Sequence, residues 1–152
     1  MTTDTYPKLT SRRVEMDGVP VTITGMSKGS GMIKPNMATM LGFIATDAPI
    51  AKPLLDEWVK ALADKSFNRV TVDGDTSTND ACMLISTAQA EMGEITALDE
   101  HSRLLYQALE EVFTELAQAL VRDGEGATKF VEITVTGATS ESDARVVAET
   151  IA

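Results

Sequence analysis

Three polar, glycine-rich segments interrupt a sequence that otherwise consists of core-forming elements. They are residues 28–41 (KGSGMIKPNMATML), 73–80 (DGDTSTND) and 123–130 (DGEGATKF). Loops of this kind often carry binding residues, because they lie at the surface of a rigid scaffold. Their hydroxyl, ammonium and carboxylate groups offer a nucleophile and charged contacts for a small polar substrate.

The glycine-rich loops do not match a nucleotide-binding pattern. Gly29-Ser30-Gly31 lacks the third glycine of a dinucleotide fingerprint, and residues 124–129 lack the spacing of a P-loop. Both fit ordinary turns equally well, so neither predicts a nucleotide site.

The acidic segment 73–80 has two metal-dependent interpretations. Against an EF-hand, the sixth loop position is Thr78 instead of glycine and the twelfth is Leu84 instead of glutamate. A haloacid-dehalogenase-like phosphotransferase would use Asp73 and Asp75 after a strand, but no downstream acidic pair completes that pattern. Capping and turn formation by the same side chains needs no ion, and we expect no metal.

Length and charge limit the function classes. A chain of 152 residues, 43% of them hydrophobic, fits one domain or part of one. The net charge of -10 argues against nucleic acid and membrane surfaces as partners. Cys82 is the only cysteine, which excludes an internal disulfide and is compatible with a reducing compartment. No apolar leader or long apolar run is evident, so we expect a cytoplasmic protein.

The first half of the chain predicts a hairpin, a loop and a helix. Residues 13–25 place alternating apolar side chains on both sides of Asp17-Gly18, which is typical of a β-hairpin. The broken segment that follows leads into the apolar run Met40–Ala45. Residues 53–65 begin with proline and repeat apolar positions every three or four residues, which predicts a helix.

The second half alternates predicted strands and helices. A short strand is predicted over Arg69–Val72, a helix over Ala81–Gln89 and a long helix over residues 99–122. Phe130–Thr136 predicts another strand, and a last helix follows from Ser140 without a stop signal, which suggests that the natural sequence continues. This mixture predicts an α/β fold, a layered mixed sheet with packed helices.

Taken together, the polar segments resemble the ornithine acetyltransferase family, the glutamate N-acetyltransferases of arginine biosynthesis. That family has a Lys-Gly-x-Gly-Met stretch leading to Pro-x-Met-Ala-Thr-Met-Leu, matched here by residues 28–32 and 35–41. Residues 1–5, 72–80 and 123–130 match further family segments in the same order. The resemblance covers the whole chain, which corresponds to the middle of the family sequence. It implies a partial domain of a self-processing, N-terminal-threonine hydrolase-like fold.

The resemblance implies that the protein cuts itself between Ala38 and Thr39. Residues 1–38 would then end the family's α chain, and residues 39–152 would begin its β chain. The Thr39 hydroxyl would attack the Ala38 carbonyl, and water would hydrolyse the resulting ester. The cut frees an α-amine on Thr39 that can accept the proton of its own hydroxyl. No histidine is required, and we expect His101 to be a helix-surface residue.

The resemblance also implies that Thr5, Lys28, Thr39 and Glu125 contact the amino-acid substrate. A lysine suits the substrate carboxylate and a glutamate suits an ammonium group. Outside these motifs, Lys28 and Glu125 would be taken as solvated loop charges. Thr39 would be taken as a β-branched residue that opens a strand.

The implied reaction moves an acetyl group from N-acetylornithine to glutamate through an acetyl-Thr39 intermediate and releases ornithine. The resemblance further implies an assembly of α and β chains and, in some members, acetyl-CoA as a second donor. A self-processing aminopeptidase-like hydrolase is an alternative enzyme. The chain could also be a noncatalytic fragment, because the family's oxyanion-binding Thr-Gly pair lies upstream of Met1. Losing one such donor costs on the order of 10² to 10³ in rate, so the isolated chain is expected to be inactive.

Overall fold

One four-stranded sheet organises the chain, whose computed structural model describes residues 3–33, 40–75 and 80–152. The described strands lie in the order β1-β2-β3-β4, and helices α1 and α2 contact the sheet. The elements are β1 (Lys8–Met16), β2 (Val19–Lys28), β3 (Leu41–Thr46), α1 (Lys52–Lys65), a 3-10 turn (Phe67–Arg69), β4 (Ala81–Ser86), α2 (Arg103–Arg122) and α3 (Glu141–Ile151).

The predicted β-hairpin is confirmed and is longer than expected. Strands β1 and β2 pair antiparallel from Lys8↔Ser27 to Met16↔Val19. Asp17 and Gly18 connect them with φ values of 51° and 79°. A two-residue hairpin turn with positive φ at both positions matches the twist of its strands, which explains the Asp-Gly pair.

The connections of β3 bring three strand ends together. Strand β3 pairs antiparallel with β2 and parallel with β4, and α1 lies in the connection that the parallel pair needs. Leu41, the first residue of β3, pairs with Lys28 at the end of β2 and with Ala81 at the start of β4. The end of β2 and the starts of β3 and β4 therefore lie side by side.

The core lies between the sheet and its two covering helices. Helix α1 begins with proline in its first turn, as predicted, and helix α2 packs on β1 and β2. The Trp58 and Tyr106 rings meet edge to face, with centroids 5.2 Å apart. None of the described helices is long and apolar enough to cross a membrane. The largest fully buried side chains include Trp58, Phe113, Ile23, Ile44, Leu62, Leu105, Leu109 and Leu116.

The helix predicted over Ala81–Gln89 is wrong, because residues 81–86 form strand β4. A short apolar run fits a buried strand as well as a helix, and only its neighbours decide. Here β3 offers a free edge, and Leu84 turns to the core while Met83 and Ile85 remain exposed.

Two predicted strands are also wrong. At Arg69–Val72 the chain first completes the 3-10 turn and then runs irregularly, with the Val72 N–H bonded to the Ile33 carbonyl outside the sheet. Phe130–Thr136 forms no strand, because no described strand pairs with it. The predicted last helix is confirmed as α3, although none of its residues is buried.

The sheet face away from the helices carries a row of apolar side chains. Leu9, Met26, Phe43 and Met83 are register partners across the four strands, and they are 63, 52, 36 and 49% exposed. Strands β3 and β4 therefore carry apolar side chains toward both faces of the sheet, which is why they read as apolar runs without polar alternation.

We predict that Gly25→Ala destabilises the fold by roughly 1–3 kcal/mol through overpacking. An added Cβ would lie 2.8 Å from the Leu116 side chain and 2.9 Å from the Val112 side chain. Gly93→Ala is the matched control, because nothing lies within 4 Å of the added atom. The free energy of unfolding in urea should fall in the first variant only. Equal stability of both variants would contradict this packing.

Candidate functional site

The segments identified from the sequence meet at the end of the sheet where β2 finishes and β3 and β4 begin. Lys28 is the last residue of β2, and residues 29–40, of which 29–33 and 40 are described and lie outside helix and strand, connect it to β3; this connection is called the loop of residues 29–40. Residues 34–39, which include Ala38 and Thr39, lie outside the described residues. The nucleophile and the cleavage site therefore stay predictions, and the site is described from the residues around them.

The opening segment contacts the start of this loop. One carboxylate oxygen of Asp4, Oδ1, accepts a hydrogen bond from the Gly29 N–H at 2.9 Å. The hydroxyl groups of Thr3 and Ser30 lie 2.5 Å apart in a second hydrogen bond. Asp4 directly precedes Thr5 in the chain, and Gly29 directly follows Lys28. The Asp4–Gly29 contact therefore lies next to two residues that are predicted to bind the same substrate.

The segment after α2 reaches the same loop. The Glu125 N–H donates to the Ser30 carbonyl at 2.6 Å. A Cβ atom at Gly31 would lie 3.4 Å from the Glu125 carboxylate and 3.6 Å from the Asp73 carboxylate. The second and third polar segments therefore both reach the first segment at Gly31.

Asp73 holds backbone amides of the loop. Its carboxylate accepts hydrogen bonds from the N–H groups of Met32 at 2.5 Å and Ile33 at 3.2 Å, and also from Asp75 at 3.1 Å. Asp73 follows no strand, which removes the opening expected of a haloacid-dehalogenase-like site. Within the described ranges, no three His, Cys, Asp or Glu side chains are placed to hold a metal.

Asp80 holds the other end of the loop. Its Oδ1 accepts the Met40 N–H at 2.6 Å, and the Ala81 N–H donates to the Met40 carbonyl at 3.2 Å. Its second oxygen is buried and has no hydrogen-bond partner among the described residues. Burial raises the pKa of Asp80, and the hydrogen bond from Met40 opposes that shift.

A buried ion cluster of Lys8, Asp4 and Asp123 supports this end of the sheet. The Lys8 ammonium lies 2.6 Å from Asp4 Oδ1 and also contacts Asp123, and all three side chains are at most 2% exposed. Asp123 additionally accepts the N–H and hydroxyl hydrogen bonds of Thr5. The cluster therefore joins strand β1, the opening segment and the end of α2.

The pKa shifts in the ion cluster favour its charged forms. Burial raises the pKa of Asp4 and Asp123, but hydrogen bonds from Lys8 and from backbone N–H groups outweigh it and hold both below the ordinary value. Burial lowers the pKa of Lys8, and its bonds to Asp123 and Asp4 more than restore it. All three groups are therefore ionised at neutral pH.

Lys28 and Glu125 differ from the ion cluster because their charges are unpaired within the described ranges. Lys28 is half-buried and Glu125 is exposed, and neither side chain forms an ion pair there. The exposed Thr5 donates its hydroxyl proton to Asp123, so its oxygen retains only acceptor capacity. The structure thus brings Thr5, Lys28 and Glu125 to one end of the sheet.

Neither His101 nor Cys82 suits a catalytic role. His101 lies in the turn before α2, 3.4 Å from Asp17 in the hairpin turn, at the opposite end of β2 from Lys28. It is exposed, as expected, although it precedes the helix in which it was predicted. Burial raises the pKa of the Cys82 thiol to about 12, so it remains a neutral thiol at pH 7.

Sequence reasoning assigned no role of their own to Lys8, Asp4 or Asp123, and it expected Asp80 only to make turns or cap a helix. One signal was available for Lys8, because strand alternation puts it on the same side of β1 as the buried Met16. A lysine on a core-facing position requires a counter-charge, but which carboxylates supply it depends on the tertiary fold.

A family model for the ArgJ family matches residues 1–152. The chain belongs to the ArgJ family. An "Arginine biosynthesis bifunctional protein ArgJ" of Pseudomonas syringae pv. tomato is 59% identical over 141 residues, covering 90% of this chain and 34% of the relative. One of Psychrobacter arcticus is 57% identical over 152 residues, covering 99% and 37%. The chain therefore spans about a third of the length of these ArgJ relatives.

Solved structures agree with this assignment. The crystal structure of the arginine biosynthesis bifunctional protein argJ from Bacillus halodurans matches with a TM-score of 0.71 and 42% identity, covering 74% of this chain and 53% of that one. An l-aminopeptidase d-ala-esterase/amidase from Ochrobactrum anthropi, described as a variant of the ntn hydrolase fold, matches with a TM-score of 0.54. It is 17% identical, covering 78% of this chain and 40% of that one, and shows the fold alone. The predicted family and fold class are confirmed.

We predict that Lys8→Met lowers the free energy of unfolding at neutral pH by about 3–5 kcal/mol, because it leaves two buried carboxylates without their cation. The measurement is urea unfolding of the purified protein. Lys52→Met is the matched control, since its partner Asp56 is 54% exposed and such a pair contributes little.

The same ion cluster predicts the acid limb of the stability curve. Asp4 and Asp123 bind protons more weakly in the folded than in the unfolded protein, so their contribution is present above the unfolded pKa of about 3.9. It is lost as pH falls through the lower folded values. Lys8→Met should flatten this loss, and an unchanged acid limb would contradict the role of the ion cluster.

Proposed function

We propose that the chain is the central part of a self-processing acetyltransferase that moves acetyl from N-acetylornithine to glutamate. Its membership of the ArgJ family over residues 1–152 supports this. The observation that carries the proposal is the meeting of the motif segments around the loop of residues 29–40. Hydrogen bonds connect that loop to the opening segment, to residues 73–80 and to Glu125.

The proposed chemistry begins with the chain itself. The Thr39 hydroxyl attacks the Ala38 carbonyl carbon, the Ala38–Thr39 amide bond breaks, and the acyl group moves to the Thr39 oxygen. Water then hydrolyses that ester and leaves Thr39 with a free α-amine. The amine serves as the general base that a weak hydroxyl nucleophile requires.

Acetyl transfer uses the same two groups of Thr39. Its hydroxyl attacks the acetyl carbon of N-acetylornithine while the α-amine takes the proton and passes it to the departing ornithine nitrogen. The glutamate nitrogen then attacks the acetyl ester, forming N-acetylglutamate and restoring the hydroxyl. We propose no metal for any of these reaction steps. Acetyl-CoA is a candidate second acetyl donor.

Substrate recognition falls to the unpaired charges beside the loop. Lys28 is proposed to bind the substrate carboxylate and Glu125 an ammonium group. Thr5, whose hydroxyl proton is held by Asp123, is proposed to accept a hydrogen bond from a substrate N–H group. The ion cluster of Lys8 supports this arrangement because Asp123 bonds both Lys8 and Thr5.

The assembly and its surroundings are proposed on the same basis. Residues 1–38 would end one chain and residues 39–152 begin another, and both would remain together in a cytoplasmic enzyme. Residues outside the present chain would supply the oxyanion-binding groups, so the isolated chain is expected to be inactive.

The function is tested with a chimera in which residues 1–152 replace the matching segment of the Psychrobacter arcticus relative. N-acetylornithine and glutamate should yield N-acetylglutamate and ornithine. Mass spectrometry after incubation with N-acetylornithine alone should find one acetyl group on the chain that begins at Thr39. Hydrolysis of peptides or amides without that adduct would favour the aminopeptidase-like alternative, and an inactive chimera would favour a noncatalytic chain.

We predict that Thr39→Ala abolishes both self-cleavage and transfer in the chimera, because it removes the attacking oxygen. Thr39→Ser keeps a hydroxyl and, after cleavage, an α-amine, so it should still be cut. A denaturing gel should show a single uncut band for Thr39→Ala and two shorter chains for Thr39→Ser. Cleavage of the alanine variant at the wild-type rate would show that another residue is the nucleophile.

We predict that Lys28→Ala and Glu125→Gln lower kcat/KM by about ten- to a hundredfold, since each removes a charge-assisted contact of roughly 1.5–3 kcal/mol. Self-cleavage should survive at least in part, because neither group is needed to form the nucleophile. Lys60→Ala and Glu132→Gln are matched controls with exposed side chains. Wild-type kinetics in both site variants, with normal cleavage, would remove Lys28 and Glu125 from the site.

A further inference from the structure

Two carboxylates from one loop hold both ends of the segment that contains the proposed cleavage site. Asp73 accepts the N–H groups of Met32 and Ile33, just before residues 34–39. Asp80 accepts the N–H group of Met40, directly after them. Hydrogen bonds from backbone N–H groups to a carboxylate are charge-assisted and stronger than neutral ones.

The same two points are fixed by further contacts. The Ile33 carbonyl accepts the Val72 N–H at 2.8 Å and the Thr71 hydroxyl at 2.9 Å. The Met40 carbonyl accepts the Ala81 N–H. The side chains of Ile33 and Met40 both belong to the hydrophobic core, and each residue is 2% exposed. Each anchor point is therefore held by its amide, its carbonyl and its side chain.

We propose that Asp73 and Asp80 are positioning residues for self-cleavage and that they take different roles after it. The inference rests on the proposed cut between Ala38 and Thr39. Before the cut, both carboxylates fix the points where one chain enters and leaves residues 34–39. After the cut, Asp73 holds only the end of the first product, whereas Asp80 still holds Met40, which is bonded to Thr39.

A physical reason connects these anchors to the rate of cleavage. Attack of a hydroxyl on the carbonyl of the preceding residue needs a particular local geometry, and restricting the chain to it lowers the entropic part of the barrier. The anchors need hydrogen-bond acceptors more than they need negative charge. An asparagine at position 80 keeps one acceptor oxygen for the Met40 N–H, whereas alanine keeps none.

The first experiment measures the rate of self-cleavage in the chimera on denaturing gels. Asp73→Ala and Asp80→Ala should each slow cleavage by about ten- to a hundredfold, the effect of losing charge-assisted bonds. Asp80→Asn should retain most of the wild-type rate. Asp75→Ala is the matched control, because Asp75 lies exposed in the same loop and only its backbone N–H is hydrogen bonded within the described ranges.

The second experiment removes the need for self-cleavage. The chimera is produced as two separate chains, one ending at Ala38 and the other beginning at Thr39 after removal of its initiator methionine. In this split enzyme, Asp73→Ala should lose clearly less of its kcat than Asp80→Ala, because Asp73 then holds only the end of the first product. Asp80→Ala should still have a kcat at least tenfold lower, with Asp80→Asn closer to wild type, because Asp80 continues to position the nucleophile.

The outcomes separate this inference from the proposed function. Wild-type cleavage rates in both alanine variants would overturn the positioning roles. Equal impairment of both variants in the split enzyme would show that the loop serves stability alone. An unmodified chimera that neither cuts itself nor transfers acetyl would overturn the proposed function and the inference with it. Thermal unfolding of each variant and the rescue by Asp80→Asn keep a folding defect distinguishable from lost positioning.

Discussion

A buried lysine ammonium between two carboxylates is the constraint on which this end of the molecule depends. Lys8 and Asp123 are 115 residues apart in the sequence, yet their charged groups are in direct contact beneath the surface. Replacing such an ion pair with apolar side chains of similar volume often leaves stability unchanged, whereas losing one partner is very costly. The contact also specifies geometry, because Asp4 Oδ1 bonds both the Lys8 ammonium and the Gly29 N–H and so connects β1 to the segment that follows β2.

The parts of the fold that were predicted correctly have signals that are local in sequence. The Asp17-Gly18 turn fixes the hairpin through its backbone φ values. In α1 and α2 the apolar residues repeat at helical spacing over a stretch too long to be taken for a strand. The predictions for β4 and for Phe130–Thr136 were wrong because the structure of these segments depends on neighbours that are distant in sequence. A short, largely apolar segment becomes a strand only where a neighbouring edge is free, and an alternating pattern stays irregular where no described strand pairs with it.

The candidate site was predictable only to the level of its motifs. Lys28 and Glu125 were selected because they lie in recognisable segments, and the fold brings those segments together through the Ser30 carbonyl and the Glu125 N–H. The supporting carboxylates were missed because their function is defined by partners far away in sequence. Asp73 and Asp80 were expected to make turns or cap a helix, and they instead bind amides of the loop that follows β2. No periodicity encodes such a contact, since its partners lie about 40 residues apart in the sequence.

Lys8 and Lys28 show how strand geometry assigns opposite roles to one residue type. Lys8 pairs in register with Ser27, so it shares the helix-covered face, and burial forces it into the ion cluster. Lys28 is the next residue of β2, and the pleat turns it to the other face, where it pairs with Leu41 at the strand end. There it forms no ion pair within the described ranges. A shift of one residue in the β1–β2 register would turn Lys8 to the other face, away from Asp123, and would break the ion cluster while β2 stayed paired with β3. The hairpin turn at Asp17-Gly18, at the far end of the same two strands, therefore helps to fix the register that places Lys8 on the helix-covered face.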